Sequence, residues 1–299
     1  MNKPVFRFAP SPNGLLHLGH AYSALLNLRM ARRAGATLLL RIEDIDTVRC
    51  TPENEAMMLK DLEWLGFEWD APPRRQSEHF DEYRAALDEL LDAGLAYPAL
   101  MSRAEIRRAV EAATASGRSW PCDPDGAPHY PGRERDLDLA RRRQIVAGSG
   151  DYTLRLDAAA AAAHIGRALH WTEEGCGPDG QSGRIRADLA PWGDPILGRR
   201  DVPASYHLAC VIDDAAQGVS DVVRGRDLFF ATAIHRALQE LFGLPEPAYF
   251  HHDLILDEDG RKLSKSRSST ALRHLRAAGL TATDIARMVG LADEPVRCA

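Results

Sequence analysis

The sequence predicts an α/β fold: a parallel sheet split in two by an inserted α+β subdomain and followed by a short helical tail. Three observations carry this. Residues 5–35 read as strand, Gly/Pro turn and helix, the opening unit of a nucleotide-binding sheet. Short apolar runs alternate with helical stripes up to residue 97, and again over 204–260. Between these halves, residues 98–203 turn loop-rich and arginine-rich. The economical reading is a Rossmann-like sheet built from 1–97 and 204–260, an insertion at 98–203, and a loop and tail at 261–299.

In Val5-Phe6-Arg7-Phe8 the aromatic residues alternate with arginine, which suits the end of a half-buried strand. Pro10, Pro12 and Gly14 make the turn, and Leu18, Ala21, Leu25 and Leu28 form a helical stripe that stops at Gly35. Thr37 to Glu43 suits a buried parallel strand, and Glu43-Asp44-Ile45-Asp46 falls at its C-terminal end, where open α/β sheets bind ligands. Thr51-Pro52 opens a helix as cap and first residue, with Met58, Leu62 and Leu65 as its buried stripe and Gly66 as its stop. Another amphipathic helix covers 79–93, and Ser102-Arg103-Ala104-Glu105 is a capping box for the next. Residues 117–136 read as loop, Asp151–Leu156 as a strand, and the alanines of 158–163 as filler or a short helix. Residues 172–186 are turn-rich and signal no element. Ala204–Asp214 reads as sheet, 219–227 as a strand leading to a turn, 229–242 as a helix and His251–Leu256 as a strand. After the tight turn Asp257–Gly260 comes Lys262-Leu263-Ser264-Lys265-Ser266, then two short helices near 269–278 and 282–290.

With 299 residues and 45% hydrophobic content the chain can build a full core. No run approaches the roughly 18 apolar residues of a membrane span, and the start lacks the basic-then-apolar pattern of a signal peptide. Cys50, Cys122, Cys176, Cys210 and Cys298 form no C-x-x-C pair and read as reduced thiols of a cytoplasmic protein. The net charge of −6 does not announce a nucleic-acid binder. Yet Arg103, Arg107, Arg108, Arg133, Arg135 and Arg141 to Arg143 concentrate in the middle third, where a local basic face can serve.

The chemistry points to phosphate. His17 and His20 stand at a helix start, where unpaired N–H groups and a partial positive charge attract anions. Gly19 lets a ligand lie close to the backbone. Lys262 and Lys265 follow a strand and can reach phosphates. His17-Leu-Gly-His20 and Lys262-Leu-Ser-Lys265-Ser together resemble the HIGH and KMSKS signatures of class I aminoacyl-tRNA synthetases. The stretch FRFAPSPNGLLHLGH resembles the glutamyl branch, written R-x-A-P-S-P-T-G-x-L-H-x-G.

That resemblance implies ATP and Mg²⁺, with His17, Gly19, His20, Lys262 and Lys265 on the nucleotide and His17, His20 and Lys265 acting in catalysis. It implies that Arg7, Ser11, Glu43, Tyr206 and Arg224 hold glutamate, Glu43 taking the amino group. Glu43 lies in a match to R-x-E-D-T-D with Ile45 in place of Thr, and Arg224 in a match to V-x-R-G-x-D. Cys210 stands where charging enzymes typically have Asn, a departure expected to weaken glutamate binding.

Only residues 267–299 follow the KLSKS motif, so no anticodon-binding domain is expected. The pattern is similar to the truncated glutamyl-queuosine tRNA(Asp) synthetase family. This likeness implies a monomer that activates glutamate and transfers it to queuosine in the anticodon stem-loop of tRNA(Asp), with the insertion meeting that stem-loop. A minimal enzyme charging a tRNA 3′ end, or a non-catalytic nucleotide- or tRNA-binding paralogue, are the alternatives. Members of the family often carry a zinc site written Y-x-C-x-C-[ST]-R and Y-x-x-x-C. Here Ala99, Met101 and Glu134 replace the cysteines and leave Tyr130, so zinc is not expected.

Overall fold

A computed structural model describes residues 3–255 and 271–291, so the 257–260 turn, Lys262, Lys265 and Cys298 lie outside the described residues. The first half follows the sequence reading closely. β1 (Val5–Phe8) leads into α1 (Leu18–Arg33), β2 (Thr37–Ile42) and α2 (Pro52–Trp64). Thr51 caps α2 by accepting the Asn54 amide, with Pro52 as its first residue. A two-residue β3 (Arg74–Arg75) precedes α3 (Phe80–Asp92). β1 is buried on both faces, Arg7 included, rather than half-buried, because helices cover both sides of the sheet.

The middle of the chain opens with β4 (Ala96–Ala99) and α4 (Arg103–Ala115), the latter started by the Ser102/Glu105 capping box. α5 (Leu139–Ala147), β5 (Thr153–Leu156) and α6 (Ala158–Ile165) follow, so the alanine run is a short helix. β6 (Leu169–Glu173) and β7 (Gly183–Ala187) occupy the stretch that carries no sequence signal for an element. Its turn residues form the loop of an antiparallel ribbon whose β7 alternates arginine with small and apolar residues. β8 (Ile196–Arg199) completes a three-stranded antiparallel sheet in the order β4-β5-β8.

The expected sheet at 204–214 is instead the helix α7 (Tyr206–Ala216). The run Leu208–Val211 is buried all round, and apolar periodicity cannot separate a fully buried helix from a buried strand. The local signal is Ser205, whose hydroxyl caps α7 by accepting the Leu208 amide. β9 (Asp221–Gly225), α8 (Thr232–Leu241) and β10 (Ala248–His252) come next, the last centred earlier than the 251–256 strand expected. α9 (Leu272–Ala277) and α10 (Ala282–Met288) return to the N-terminal half, where Leu272 and Ile285 join its core and the Leu272 amide donates to Leu16 O.

The large sheet runs β3-β2-β1-β9-β10-β6-β7, with every pairing parallel except β6 with β7. Its order reverses between β1 and β9, which have β2 and β10 on opposite sides. That switch point is where the C-terminal strand ends leave a crevice for ligands. One core, with Phe6, Phe8, Leu26, Leu40, Met58 and Leu62, packs under α1 and α2. A second, with Tyr83, Leu87, Leu154, Leu197, Leu208 and Leu238, joins α3, α7 and α8 to β5 and β8. Each fully buried leucine contributes roughly 1.5–3 kcal/mol, so both cores hold the crevice walls firmly. Among the described residues no helix is long and apolar enough to cross a membrane.

Candidate active site

A cavity of about 460 Å³ opens at the switch point. Arg7, Ser11, His17, Gly19, His20, Glu43, Tyr206 and Arg224 all line it, so every candidate residue within the described part of the chain meets in one place. The remaining candidates, Lys262 and Lys265, lie outside the described residues. Sequence reasoning missed Tyr22, Ser23, Asp227 and His252, which also line the cavity. Asp227 had a signal, since it is the last residue of the stretch that matches V-x-R-G-x-D.

The histidines do more than sit near a helix start. His17 is the N-cap of α1: its Nδ1 accepts the Gly19 amide at 3.1 Å, while Nδ1 of His20 accepts the His17 amide at 3.2 Å. This is a capping box made of two imidazoles, with ring centroids 3.9 Å apart. With both Nδ1 atoms accepting, the neutral rings carry their protons on Nε2, which suits donation to phosphate oxygens. A Cβ on Gly19 would stand 3.1 Å from His17 Cε1, so glycine is what admits the ring over its own amide.

Beneath the cavity lies a buried charge network. Arg7 donates from Nε to Asp214 Oδ1 at 3.0 Å, and Arg41 Nη1 donates to the same oxygen at 2.6 Å. Arg41 also donates from Nη2 to Glu43 Oε1 at 3.1 Å, which aims that carboxylate. Asp213 accepts from Arg74 Nε and Gln76 Nε2 at 2.8 Å and from the Tyr83 hydroxyl at 2.9 Å. Among the described residues Nη1 of Arg7 has no partner, so this buried cation offers one donor group toward the cavity. Burial pushes the Asp214 carboxyl up, but Arg41 and Arg7 outweigh it and hold it down at about 2. Burial also raises Glu43 above its ordinary range against the pull of Arg41 and Arg7.

Cys210 packs between Arg7, Arg41 and Asp214 with its Sγ 3.5 Å from Asp214 Oδ2, under the cavity wall rather than in it. Burial and the Asp214 charge push the thiol up to about 12, so it stays neutral there.

The place of the family's zinc site is filled differently. The Tyr130 hydroxyl oxygen accepts the Leu100 and Met101 amides at 3.0 and 3.1 Å and donates to Glu134 at 3.0 Å. Around it Tyr97, Ala99 and Tyr130 pack with Met101 and Ile106. Zinc needs about four N, S or O donors of strong-ligand type. Ala99 offers none, Met101 only a thioether, and Tyr130 and Glu134 are committed to hydrogen bonds, so this donor set does not fit the metal. Tyr130→Phe is expected to destabilise the protein by about 1–3 kcal/mol by stripping the Met101 amide of its acceptor, while the Leu100 amide keeps Glu134 Oε1 at 3.3 Å. Chelator is expected to leave the melting temperature unchanged. Thermal melts with and without chelator, alongside metal analysis, check both; one zinc per chain would contradict the second.

The helix start that carries His17-Leu-Gly-His20 and the cavity at the switch point lie together, as the likeness to class I synthetases implies. The family model described as "tRNA synthetases class I (E and Q), catalytic domain" matches residues 4–292, and the chain belongs to that family. It is therefore a ligase of the aminoacyl-tRNA synthetase type. A glutamyl-Q tRNA(Asp) synthetase from Rhodobacter capsulatus is 45% identical over 293 residues, covering 96% of this chain and all of that one. A glutamate–tRNA ligase from Prochlorococcus marinus is 37% identical over 95% of this chain, which spans 57% of that ligase. A crystal structure of a glutamate tRNA ligase from Elizabethkingia meningosepticum in complex with its amino acid superposes with a TM-score of 0.76 at 26% identity. That match covers 97% of this chain and 61% of the other.

Proposed function

We propose that the protein activates glutamate with ATP and transfers it to queuosine in the anticodon stem-loop of tRNA(Asp). The observation that carries this reading is the single cavity lined by Arg7, Glu43, Tyr206 and Arg224 together with the His17/His20 pair. Two guanidinium groups suit the carboxylates of glutamate and Glu43 suits its ammonium. The Nε2–H groups of His17 and His20 would face the triphosphate. In the first step a glutamate carboxylate oxygen bonds to the α-phosphorus and the bond to pyrophosphate breaks, giving glutamyl-adenylate. Most of the rate comes from positioning and charge neutralisation. Mg²⁺ would be held chiefly by the triphosphate oxygens and would supply charge neutralisation at the leaving group.

We read residues 1–97 and 204–260 as the catalytic unit, with the β6–β7 ribbon joined to its sheet, and the rest of 98–203 as the tRNA-contacting insertion. Arg103, Arg107 and Arg108 on α4 are exposed and suit phosphate contacts. A monomer in the cytoplasm is sufficient for this chemistry. The likeness to the Rhodobacter protein runs the length of both chains and favours the anticodon nucleoside as acceptor. The likeness to glutamate–tRNA ligases favours the 3′ end instead.

Transfer of labelled glutamate is expected onto tRNA(Asp) containing queuosine and not onto tRNA(Glu). Nuclease digestion of the product identifies the nucleoside that carries the label. Label on the terminal adenosine would replace this reading with a minimal charging enzyme.

A further inference from the structure

We propose that Glu173 and His251 are positioning residues for glutamate, acting through Arg224. This rests on the reading of Arg224 as a glutamate-binding residue. Neither Glu173 nor His251 lines the cavity, and both side chains are fully buried.

The argument begins with the donors of Arg224. Its Nε donates to His251 Nε2 at 3.0 Å. Nη1 reaches His235 Nδ1 at 3.1 Å and the Tyr206 hydroxyl at 3.4 Å, and Nη2 donates to Thr232 Oγ1 at 2.8 Å and Leu228 O at 3.3 Å. All five N–H groups of the guanidinium are thus directed, and the long contact to Tyr206, a cavity residue, is the one a substrate oxygen can take over. Arg224 therefore presents a single fixed edge, and what fixes it decides how well a carboxylate is met.

Arginine can only donate, so Nε2 of His251 must accept, and its proton must sit on Nδ1. That Nδ1–H points at Glu173 Oε2, 2.6 Å away. Glu173 is in turn locked: its Oε1 accepts the His251 amide at 2.9 Å and the Gly175 amide at 3.0 Å, and Trp171 Nε1 donates to Oε2 at 3.3 Å. A Cβ on Gly175 would fall 2.5 Å from His251 O, so the chain can fold back over the pair only with glycine there. The same logic runs the other way. Nδ1 of His235 accepts from Arg224, so its Nε2–H donates to His207 Nδ1 at 3.1 Å. One proton arrangement satisfies the whole chain from Glu173 to His207. Burial pushes His251 down to about 4 despite Glu173, which keeps the imidazole neutral and accepting.

Glu173→Gln tests this with an isostere. Two backbone amides face the Oε1 position, so the glutamine oxygen must stay there and its NH₂ must face His251 Nδ1. The ring is then forced to the Nε2–H tautomer, against the Arg224 Nε–H. In glutamate-dependent ATP–pyrophosphate exchange the KM for glutamate is expected to rise about tenfold or more with the KM for ATP unchanged. The buried mismatch also lowers the melting temperature, so the selectivity for the glutamate KM is the readout that a merely structural role would not give. His251→Leu should do the same, and His251→Gln, whose amide oxygen can accept from Arg224, should recover part of the loss. An unchanged KM for glutamate, or equal rises in both KM values, would overturn the proposal. Nitrogen-15 shifts of His251 in the unaltered protein give a second readout that needs no activity. A bare Nε2 is expected, and a protonated Nε2 overturns the relay even in a folded protein. If the unaltered protein shows no glutamate-dependent exchange, the activation reading fails instead, and the tautomer alone decides the relay.

Discussion

Asp214→Ala is expected to lower folding stability by about 3–5 kcal/mol and to remove measurable glutamate activation. The size follows from what the carboxylate holds. Arg7 and Arg41 are both buried and both donate to Asp214 Oδ1, so its loss leaves two cations of very low exposure short of their shared counter-charge. Activity falls with stability because Arg7 and, through Arg41, Glu43 owe their directions to the same carboxylate. Denaturant melts give the first number and pyrophosphate exchange the second. A cost below about 1 kcal/mol, the scale of an exposed ion pair, would mean that the two arginines find other partners. The pH dependence has a definite sign. Asp214 is held at about 2 when folded, below the ordinary carboxylate range. Its contribution is complete above that ordinary range and is lost as pH falls through it toward 2.

Lys265→Ala is expected to leave the fold intact and cut the activation rate by about a hundredfold or more. The residue lies outside the described residues, so the expectation rests on its place in the KLSKS motif and on the charge balance of the reaction. Pyrophosphate leaves with more charge than the bridging oxygen carried, and a lysine meeting it acts on the transition state more than on bound ATP. The rate should therefore fall with little change in the KM for ATP. Unchanged exchange would pass the role to Lys262 or remove it from the mechanism.

Local chemistry made much of the fold legible. The Pro10, Pro12 and Gly14 turn, the Thr51-Pro52 start of α2 and the Ser102/Glu105 capping box are each written within a few residues, and the structure has those elements there. The region 204–214 reads as sheet because a helix buried on all sides has no polar face to reveal its period. The β6–β7 ribbon carries no sequence signal because it is held by its own cross-strand pairing and by β10 beside it, not by a patterned composition. The cavity-lining residues are legible through motif likeness, and so is Arg41 as the first residue of the R-x-E-D-T-D match, whereas the distant partners that hold them are not. Arg41 and Asp214 are 173 positions apart, and Glu173 and His251 are 78 apart. No short-range pattern marks such partners; only the topology that brings β9 beside β1 and β6 beside β10 does so.

The long reach from Arg41 to Asp214 bears on how the chain matures. During synthesis at roughly 5–20 residues per second, the stretch holding Arg7 and Arg41 leaves the ribosome roughly 10 to 35 s before the stretch that neutralises it. In that interval neither guanidinium can be buried without its counter-charge, so the amino-terminal strands cannot close into their final packing early. A fragment ending before residue 205 is expected to show weak hydrogen-exchange protection in β1 and β2, with protection gained once α7 is supplied. Strong protection in the fragment alone would mean that those strands settle without their acidic partners.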